Sequence, residues 1–134
     1  SDVDSDITQA LNAQAEVMIA ALGYSAIWPR KGGDVPAGEH VTIQQLRNDD
    51  VPLGLSDQVY TRQGFFIVTL VSPLNAYDVV TRKQAGAIAA YFLRAQQLTA
   101  NATKVTIVGS TIRNGREEAQ RWETPVYISY ESIT

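Results

Sequence analysis

The sequence predicts an α+β fold in which two helices pack on one face of a mostly antiparallel sheet of four to five strands. Apolar residues recur at helical spacing over residues 6–22 and again over residues 79–98. Four other segments are rich in β-branched and aromatic residues, as strands are, and they cover residues 40–46, 59–73, 104–112 and 125–131. The resulting order, helix, strand, strand, helix, strand, strand, is typical of a single α+β domain.

The first helix has a recognisable start and end. Asp4, Ser5 and Asp6 can cap its first turn and place negative charge at the positive end of the helix dipole. Gly23 provides a stop signal at the other end. The apolar face between them consists of Ile7, Leu11, Met18 and Leu22.

The central segment, residues 59–73, predicts one strand that is apolar on both faces. One face carries Phe65, Ile67 and Val71, and the other carries Phe66, Val68 and Leu70. A chain of 134 residues has little else to cover both faces. We therefore expect a partner subunit to cover one of them, although the sequence leaves open which set faces outward.

The second half of the chain repeats this alternation of helix and strand. Asp78 is a plausible cap for the second helix, whose predicted core stripe is Ala85, Ile88, Ala89, Phe92 and Leu93. In the following strand Val105 and Ile107 are expected to point inward. Asn114-Gly115 is the strongest short turn signal in the chain. In the last strand Val126, Ile128 and Tyr130 alternate with polar residues and with Tyr127.

Two polar connectors, residues 47–58 and 113–123, are expected to project from the sheet. In the second of them Glu117-Glu118 lies among three arginines, so the alternatives are intersubunit salt bridges and a plain solvated loop. A tryptophan in the same segment is either an interface residue or a lid over the edge of the core, and Trp28 has the same two interpretations. The candidate partner-binding residues are Arg47, Asp49, Asp50, Arg113, Arg116, Glu117, Arg121 and Trp122.

Composition excludes several classes of function. The formal net charge is −3, from 11 basic and 14 acidic residues, which argues against a primary nucleic-acid binder. There is no cysteine, so disulfides and thiolate chemistry are impossible. No run of 18 apolar residues predicts a membrane span, and the acidic first residues lack the features of a signal peptide, so we expect synthesis in the cytoplasm.

No pattern in the sequence indicates catalysis. His40 is the only histidine, and with Glu39 beside it the pair makes a weak metal-ligand set. The glycines of Gly32-Gly33 and Gly109-Ser110 match neither a Walker loop nor a dinucleotide fingerprint. We therefore expect no enzyme activity, no catalytic residue, no metal and no cofactor.

Three stretches together resemble a known family, the tail terminator (tail completion) proteins of long-tailed, lambda-like bacteriophages. They are the connector Pro52-Leu-Gly-Leu followed by the strand from Arg62 to Pro73, the alanine-rich helix segment 85–92, and the closing strand from Trp122 to Tyr130. An N-terminal helix followed by Trp28-Pro29 also fits, and the resemblance spans nearly the whole chain as one domain, residues 1–134.

The resemblance implies a structural protein of the virion rather than an enzyme. Such a protein would form a homo-hexameric ring on the head-proximal end of the tail tube, stop tube polymerisation, and offer a surface to the head-tail connector or stopper protein. DNA would pass through the ring as cargo, and no membrane would be involved. The two polar connectors would then be candidates for contact with the tube or the neck.

Two alternatives stay open at this point. The chain could be another neck component, such as a head-tail connector or stopper protein. It could also be a small-molecule-binding or enzymatic α+β domain, which would need a pocket joining His40 to a carboxylate and a serine or threonine.

Overall fold

The computed structural model describes residues 3–29, 38–48, 51–52, 60–74 and 78–133. Two helices and eight strands occupy these ranges. In chain order they are α1 (Val3–Leu22), β1 (Ser25–Ile27), β2 (His40–Arg47), β3 (Val51–Pro52), β4 (Tyr60–Pro73), α2 (Asp78–Ala89), β5 (Gln97–Ala100), β6 (Thr103–Ile112), β7 (Arg116–Glu118) and β8 (Arg121–Ile133).

All the strands belong to one mixed sheet. Its main path runs β1-β2-β4-β8-β6-β5, while β3 pairs with β4 and β7 pairs with β8. Every pair is antiparallel except β1 with β2, which is parallel. The predicted α+β class is confirmed, but the predicted count of four to five strands is wrong. The missed strands β1, β3, β5 and β7 have two to four residues each, too short to show an alternating pattern.

Both helices contribute to one hydrophobic core on a single face of the sheet. From β4, the side chains of Phe66, Val68 and Leu70 enter this core and have no exposed surface. The ring of Phe66 lies 5.8 Å from the ring of Phe92, just beyond α2, measured between centroids. The helical members of the core are Ile7, Ala10, Leu11, Ala15 and Met18 from α1 with Ala85 and Ile88 from α2.

The opposite face of the sheet carries the second apolar set of β4. We call it the helix-free face and define it by Phe65, Ile67 and Val71 on β4 with the residues beside them on neighbouring strands. Ile67 and Val71 are each 4% exposed, although neither belongs to the core packed by the helices. The chain by itself therefore buries much of this face, and the expected need for an outside cover is confined to the less buried residues around them, such as Leu46 at 44% and Ile133 at 61% exposure.

The second helix is shorter than predicted. It ends at Ala89, after which the amides of Tyr91 and Phe92 bond to carbonyls only three residues back, and Ala95 takes a positive φ of 69°. The backbone then turns and pairs with β6 as strand β5. Phe92 still reaches the core, but Leu93 is 60% exposed, so the predicted core stripe was wrong at that residue.

Within residues 113–123, which the sequence predicts as a polar connector, residues 116–118 and 121–123 are strands of the sheet. β7 and the start of β8 make a hairpin whose two-residue loop is Ala119-Gln120, with φ of 51° and 63°. Positive φ at both loop residues is the type I′ geometry, which matches the twist of the flanking strands. Asn114-Gly115, the predicted turn, instead connects β6 to β7.

Within the ranges described above, neither helix is long and apolar enough to cross a bilayer.

Candidate assembly surfaces

The β7–β8 hairpin divides its predicted partner-binding residues between the two faces of the sheet. Cross-strand pairing places Arg116 opposite Glu123, Glu117 opposite Trp122, and Glu118 opposite Arg121. Because Glu123 also pairs with Val71 of β4, the first and third pairs lie on the helix-free face. Arg116 and Arg121 are therefore on one surface, and Glu117 and Trp122 are on the other.

The salt bridge within this hairpin is weak. Arg116 Nη2 lies 3.5 Å from Glu123 Oε1, and the arginine side chain is 67% exposed. An exposed ion pair of this kind contributes about 0–1 kcal/mol. Arg116 can therefore exchange its partner at little cost.

Trp122 packs against the backbone of its own chain. A Cβ built on Gly115 would overlap the indole ring of Trp122, so glycine is required for this close approach. The indole Nε1 is buried and has no hydrogen-bond partner in the described ranges. Trp122 thus covers Gly115 in the β6–β7 connection, and its role in partner binding stays a prediction.

A stacked array of three side chains lies on the helix-free face. The guanidinium carbon of Arg113 is 4.2 Å from the centre of the Tyr127 ring. The Tyr127 ring in turn meets Phe65 edge to face, with 5.6 Å between centroids. Arginine and tyrosine are enriched where protein interfaces contribute most binding energy, and a cation over an aromatic ring is attractive.

Sequence reasoning selected Arg113 but missed its two aromatic partners as a site. The signal was present, because Tyr127 is the aromatic residue on the outward-facing register of the last strand. The antiparallel pairing of β4 with β8 brings Phe65 close to it, and that pairing could not be read from the sequence.

A second charged group lies at the other end of the sheet. Asp4 of α1 bridges two strands, since its Oδ2 is 3.1 Å from Arg47 Nη1 and its Oδ1 is 3.6 Å from Arg62 Nε. The other two residues predicted for this connector, Asp49 and Asp50, lie outside the described residues.

The two charged groups are far apart along the strands. Arg47 pairs with Gly64 at the beginning of β4, whereas the hairpin pairs with β4 at its end, near Pro73. The structure therefore separates the predicted residues into two groups rather than bringing them into one site.

A groove runs between α1 and β2. It consists of a cavity of about 1020 Å³ beside Asp4 and Arg47 and a cavity of about 360 Å³ beneath Trp28 and Pro29. Both cavities are lined by Thr8, Asn12, Glu16 and Gln45, so they are continuous.

The floor of this groove is held by a hydrogen-bonded chain. The Thr8 hydroxyl donates to Gln45 Oε1 at 2.8 Å, and Gln45 Nε2 donates to the Tyr130 hydroxyl at 2.9 Å. Burial raises the pKa of Tyr130 above its ordinary value of 10.0, although the hydrogen bond from Gln45 lowers it. Burial and the charge of Glu39 likewise raise the pKa of Tyr24.

His40 has a structural environment. It is 2% exposed, and its Nδ1 lies 2.9 Å from the carbonyl oxygen of Gly38, to which it donates a hydrogen bond when protonated there. Neither cavity of the groove includes it. In the described part of the chain, no three His, Asp or Glu side chains are grouped so that they could hold a metal ion.

Comparison with known proteins identifies the family of this chain. A family model described as phage tail terminator protein matches residues 6–130. The chain belongs to the phage tail terminator family. It is thus a structural protein of the bacteriophage tail and virion, and its family is not an enzyme family.

Two solved structures share the fold of this tail terminator. One, whose name carries no functional description, is 14% identical, covers 94% of this chain and 92% of its own, and gives a TM-score of 0.76. The other is a chain from the virion of a native gene transfer agent particle, 14% identical, with coverage of 98% on both sides and a TM-score of 0.68. Among curated proteins no match was found.

Proposed function

We propose that this tail terminator forms a hexameric ring on the head-proximal end of the tail tube. The ring stops tube polymerisation and presents its other side to the head-tail connector or stopper protein. One observation carries this proposal: the two charged groups lie at opposite ends of one sheet, Asp4 with Arg47 and Arg62 at one end and the β7–β8 hairpin at the other. Such a subunit has one end for the tube and the other for the neck.

The helix-free face is the surface through which the subunit enters the assembly. Its centre is the array of Arg113, Tyr127 and Phe65, and its margin includes the exposed apolar side chains of Leu46 and Ile133. An aromatic centre with a mixed margin is the usual arrangement of a protein interface. The helix-free face therefore suits contact with the neighbouring components of the assembly.

DNA is cargo in this proposal rather than a ligand. The formal net charge of −3 gives the chain no general attraction for phosphate, which suits a channel that DNA must traverse. The protein is made in the host cytoplasm, folds as one domain over residues 1–134, and joins the virion at the head-proximal end of the tail.

The proposal is tested by adding the purified protein to polymerising tail tubes. We expect native mass spectrometry to show a hexamer, alone or on tubes, and electron microscopy to show tubes of limited length with density at one end. A particle found only on the portal side of isolated necks would identify a connector or stopper protein instead. Tubes that lengthen unchanged, with no bound protein, would overturn the terminator function.

A further inference from the structure

The sheet has an open stretch of edge on each side. β2 pairs with β1 only through His40–Thr42, so residues 43–47 have no strand beside them among those described. On the far side, β6 pairs with β5 only through Thr103–Thr106, and two more backbone hydrogen bonds join Ile107 to Ala95 and Gln96, just before β5. From residue 108 to residue 112 that edge also has no described strand.

These two open stretches lie at the same level of the sheet, meaning the same position along the direction of its strands. Gln44 pairs with Ile67, Ile67 pairs with Tyr127, and Tyr127 pairs with Thr111. The neighbouring row runs in the same way from Ile43 through β4 and β8 to Ile112. A row of cross-strand pairs therefore leads straight from one open edge to the other.

The two stretches have little of the protection that sheet edges usually carry, apart from Arg47 at the end of the first and a bulge at the start of the second. Residues 43–46 and 108–112 contain no charged residue and no proline, and the one irregularity is a bulge at Val108. Gln44, Ser110 and Thr111 are exposed, and Val108 is 47% exposed. An uncharged stretch of edge with no described strand beside it is a template for a strand of another chain.

The groove beside β2 leaves space for such a strand. Its two cavities are lined from β2 by Ile43, Gln45 and Arg47, so they lie along the helix-packed side of this open stretch. The small side chain of Ser110, on the helix-packed side of β6, suits a position beside Gln45 in this groove.

The directions of the two edge strands are also compatible. β2 is antiparallel to β4, β4 to β8, and β8 to β6, so β2 and β6 run in opposite directions. Rotation about an axis along the strands preserves these directions. The β2 edge of one copy therefore meets the β6 edge of the next copy in antiparallel orientation, which is the pairing used through most of the sheet.

We infer that residues 43–47 of one copy pair with residues 108–112 of the next, which joins the sheets of neighbouring subunits into one. This contact is head-to-tail, as a ring requires, because it uses two different edges of the same chain. The inference rests on the proposed ring and names the surface that holds it together.

The absence of cysteine from the sequence allows a clean crosslinking test. We would introduce Gln44→Cys and Thr111→Cys together, since both lie on the helix-free face at one level. A second pair, Leu46→Cys with Thr111→Cys, tests the alternative register in which β2 of one copy is shifted by two residues along β6 of the next. Oxidation of the assembled protein should produce a ladder of disulfide-linked multimers that ends at the full ring.

The matched control is Gln44→Cys with Ser110→Cys. Ser110 is the neighbour of Thr111 on the same strand but points to the opposite face, so this pair should yield at least tenfold less crosslinked product. Each single-cysteine variant should give no ladder.

The result also separates this inference from the proposed function. Rings that form on native mass spectrometry without any crosslink from either pair would overturn the edge pairing and leave the ring intact. Equal crosslinking of the Thr111 and Ser110 variants would also overturn the edge pairing. Such a result would indicate that the two edges touch without forming paired strands in a fixed register. Absence of any ring, with or without tail tubes, would overturn both proposals.

Discussion

The buried carboxylate of Asp6 accepts a hydrogen bond from the hydroxyl of Thr103 at 3.0 Å, although 97 positions separate the two residues in the chain. Asn101 Nδ2 donates a second hydrogen bond to the same carboxylate at 2.6 Å. Asp6 is 3% exposed, so water cannot replace these partners. The first turn of α1 is thereby fixed to the turn between β5 and β6.

Replacing Asp6 by alanine should destabilise the monomer. The change removes two hydrogen bonds to a charged group and leaves the buried Thr103 hydroxyl without its acceptor, so we expect a loss of about 3 kcal/mol in the free energy of unfolding. Chemical denaturation measures it. Asp4→Ala is the control, because the Asp4 side chain is 40% exposed in its ion pairs with Arg47 and Arg62, and their loss should cost about 1 kcal/mol. Equal losses of stability in the two variants would contradict a stabilising role for the hydrogen bonds of Asp6.

Gly64 should tolerate no side chain, whereas Gly86 should improve with one. A Cβ on Gly64 would overlap the carbonyl oxygen of Leu46 and lie 2.8 Å from the Tyr130 hydroxyl, so Gly64→Ala should cost roughly 1–3 kcal/mol. A Cβ on Gly86, inside α2, meets nothing within 4 Å, so Gly86→Ala should stabilise by about 1 kcal/mol. Thermal unfolding of both variants checks the two opposite signs.

Leu46→Asp should block assembly and leave the monomer folded. The side chain is 44% exposed at the margin of the helix-free face, so the fold should lose no more than about 1 kcal/mol. A buried charge in the assembled contact costs far more, and native mass spectrometry should show the monomer only. Val17→Asp, 54% exposed on α1, is the matched control and should assemble normally. An unfolded Leu46→Asp monomer would place Leu46 in an internal core.

Stability should fall at alkaline pH because of Tyr130. Burial raises its pKa in the folded state above 10.0, so the unfolded chain loses this proton first as the pH rises. The contribution of the neutral Tyr130 phenol to the free energy of unfolding is fully present below about pH 10. It is lost as the pH rises through the folded-state pKa of Tyr130. Denaturation at several pH values should show a shallower fall for Tyr130→Phe. A part of the fall should persist, because the pKa of Tyr24 is raised too. If Tyr130→Phe and the unchanged protein lost stability identically with pH, the alkaline loss could not be assigned to Tyr130.

The long elements were predictable because each has a strong internal period. α1, β4 and β8 each span 13 residues or more, and their apolar patterns matched the observed burial. The end of α2 was not predictable, because its apolar stripe continues past Ala89 although the backbone leaves the helix to pair with β6. The type I′ loop at Ala119-Gln120 was missed because neither residue is typical of positive φ, whereas Asn114-Gly115 is.

The candidate surfaces were predictable only in part. Polar connectors rich in arginine pointed to Arg47 and Arg113, yet their partners, Asp4 and Tyr127, come from other elements of the fold. The sequence also left open which face of β4 is turned outward. The position of the helices decided only which set enters the core, because Phe66, Val68 and Leu70 belong to it and Phe65, Ile67 and Val71 do not.

By itself, the sequence determined the α+β class, the three long elements and the family resemblance, because these depend on residue types and on periods of two and 3.6 within short stretches of chain. Only the tertiary structure decided the strand order, the pairing of Tyr127 with Phe65, and the two open edges at one level of the sheet. Those features depend on which distant segments share backbone hydrogen bonds, and antiparallel strands satisfy their donors and acceptors with many different partners. Burial of the core against both helices selects one of these arrangements.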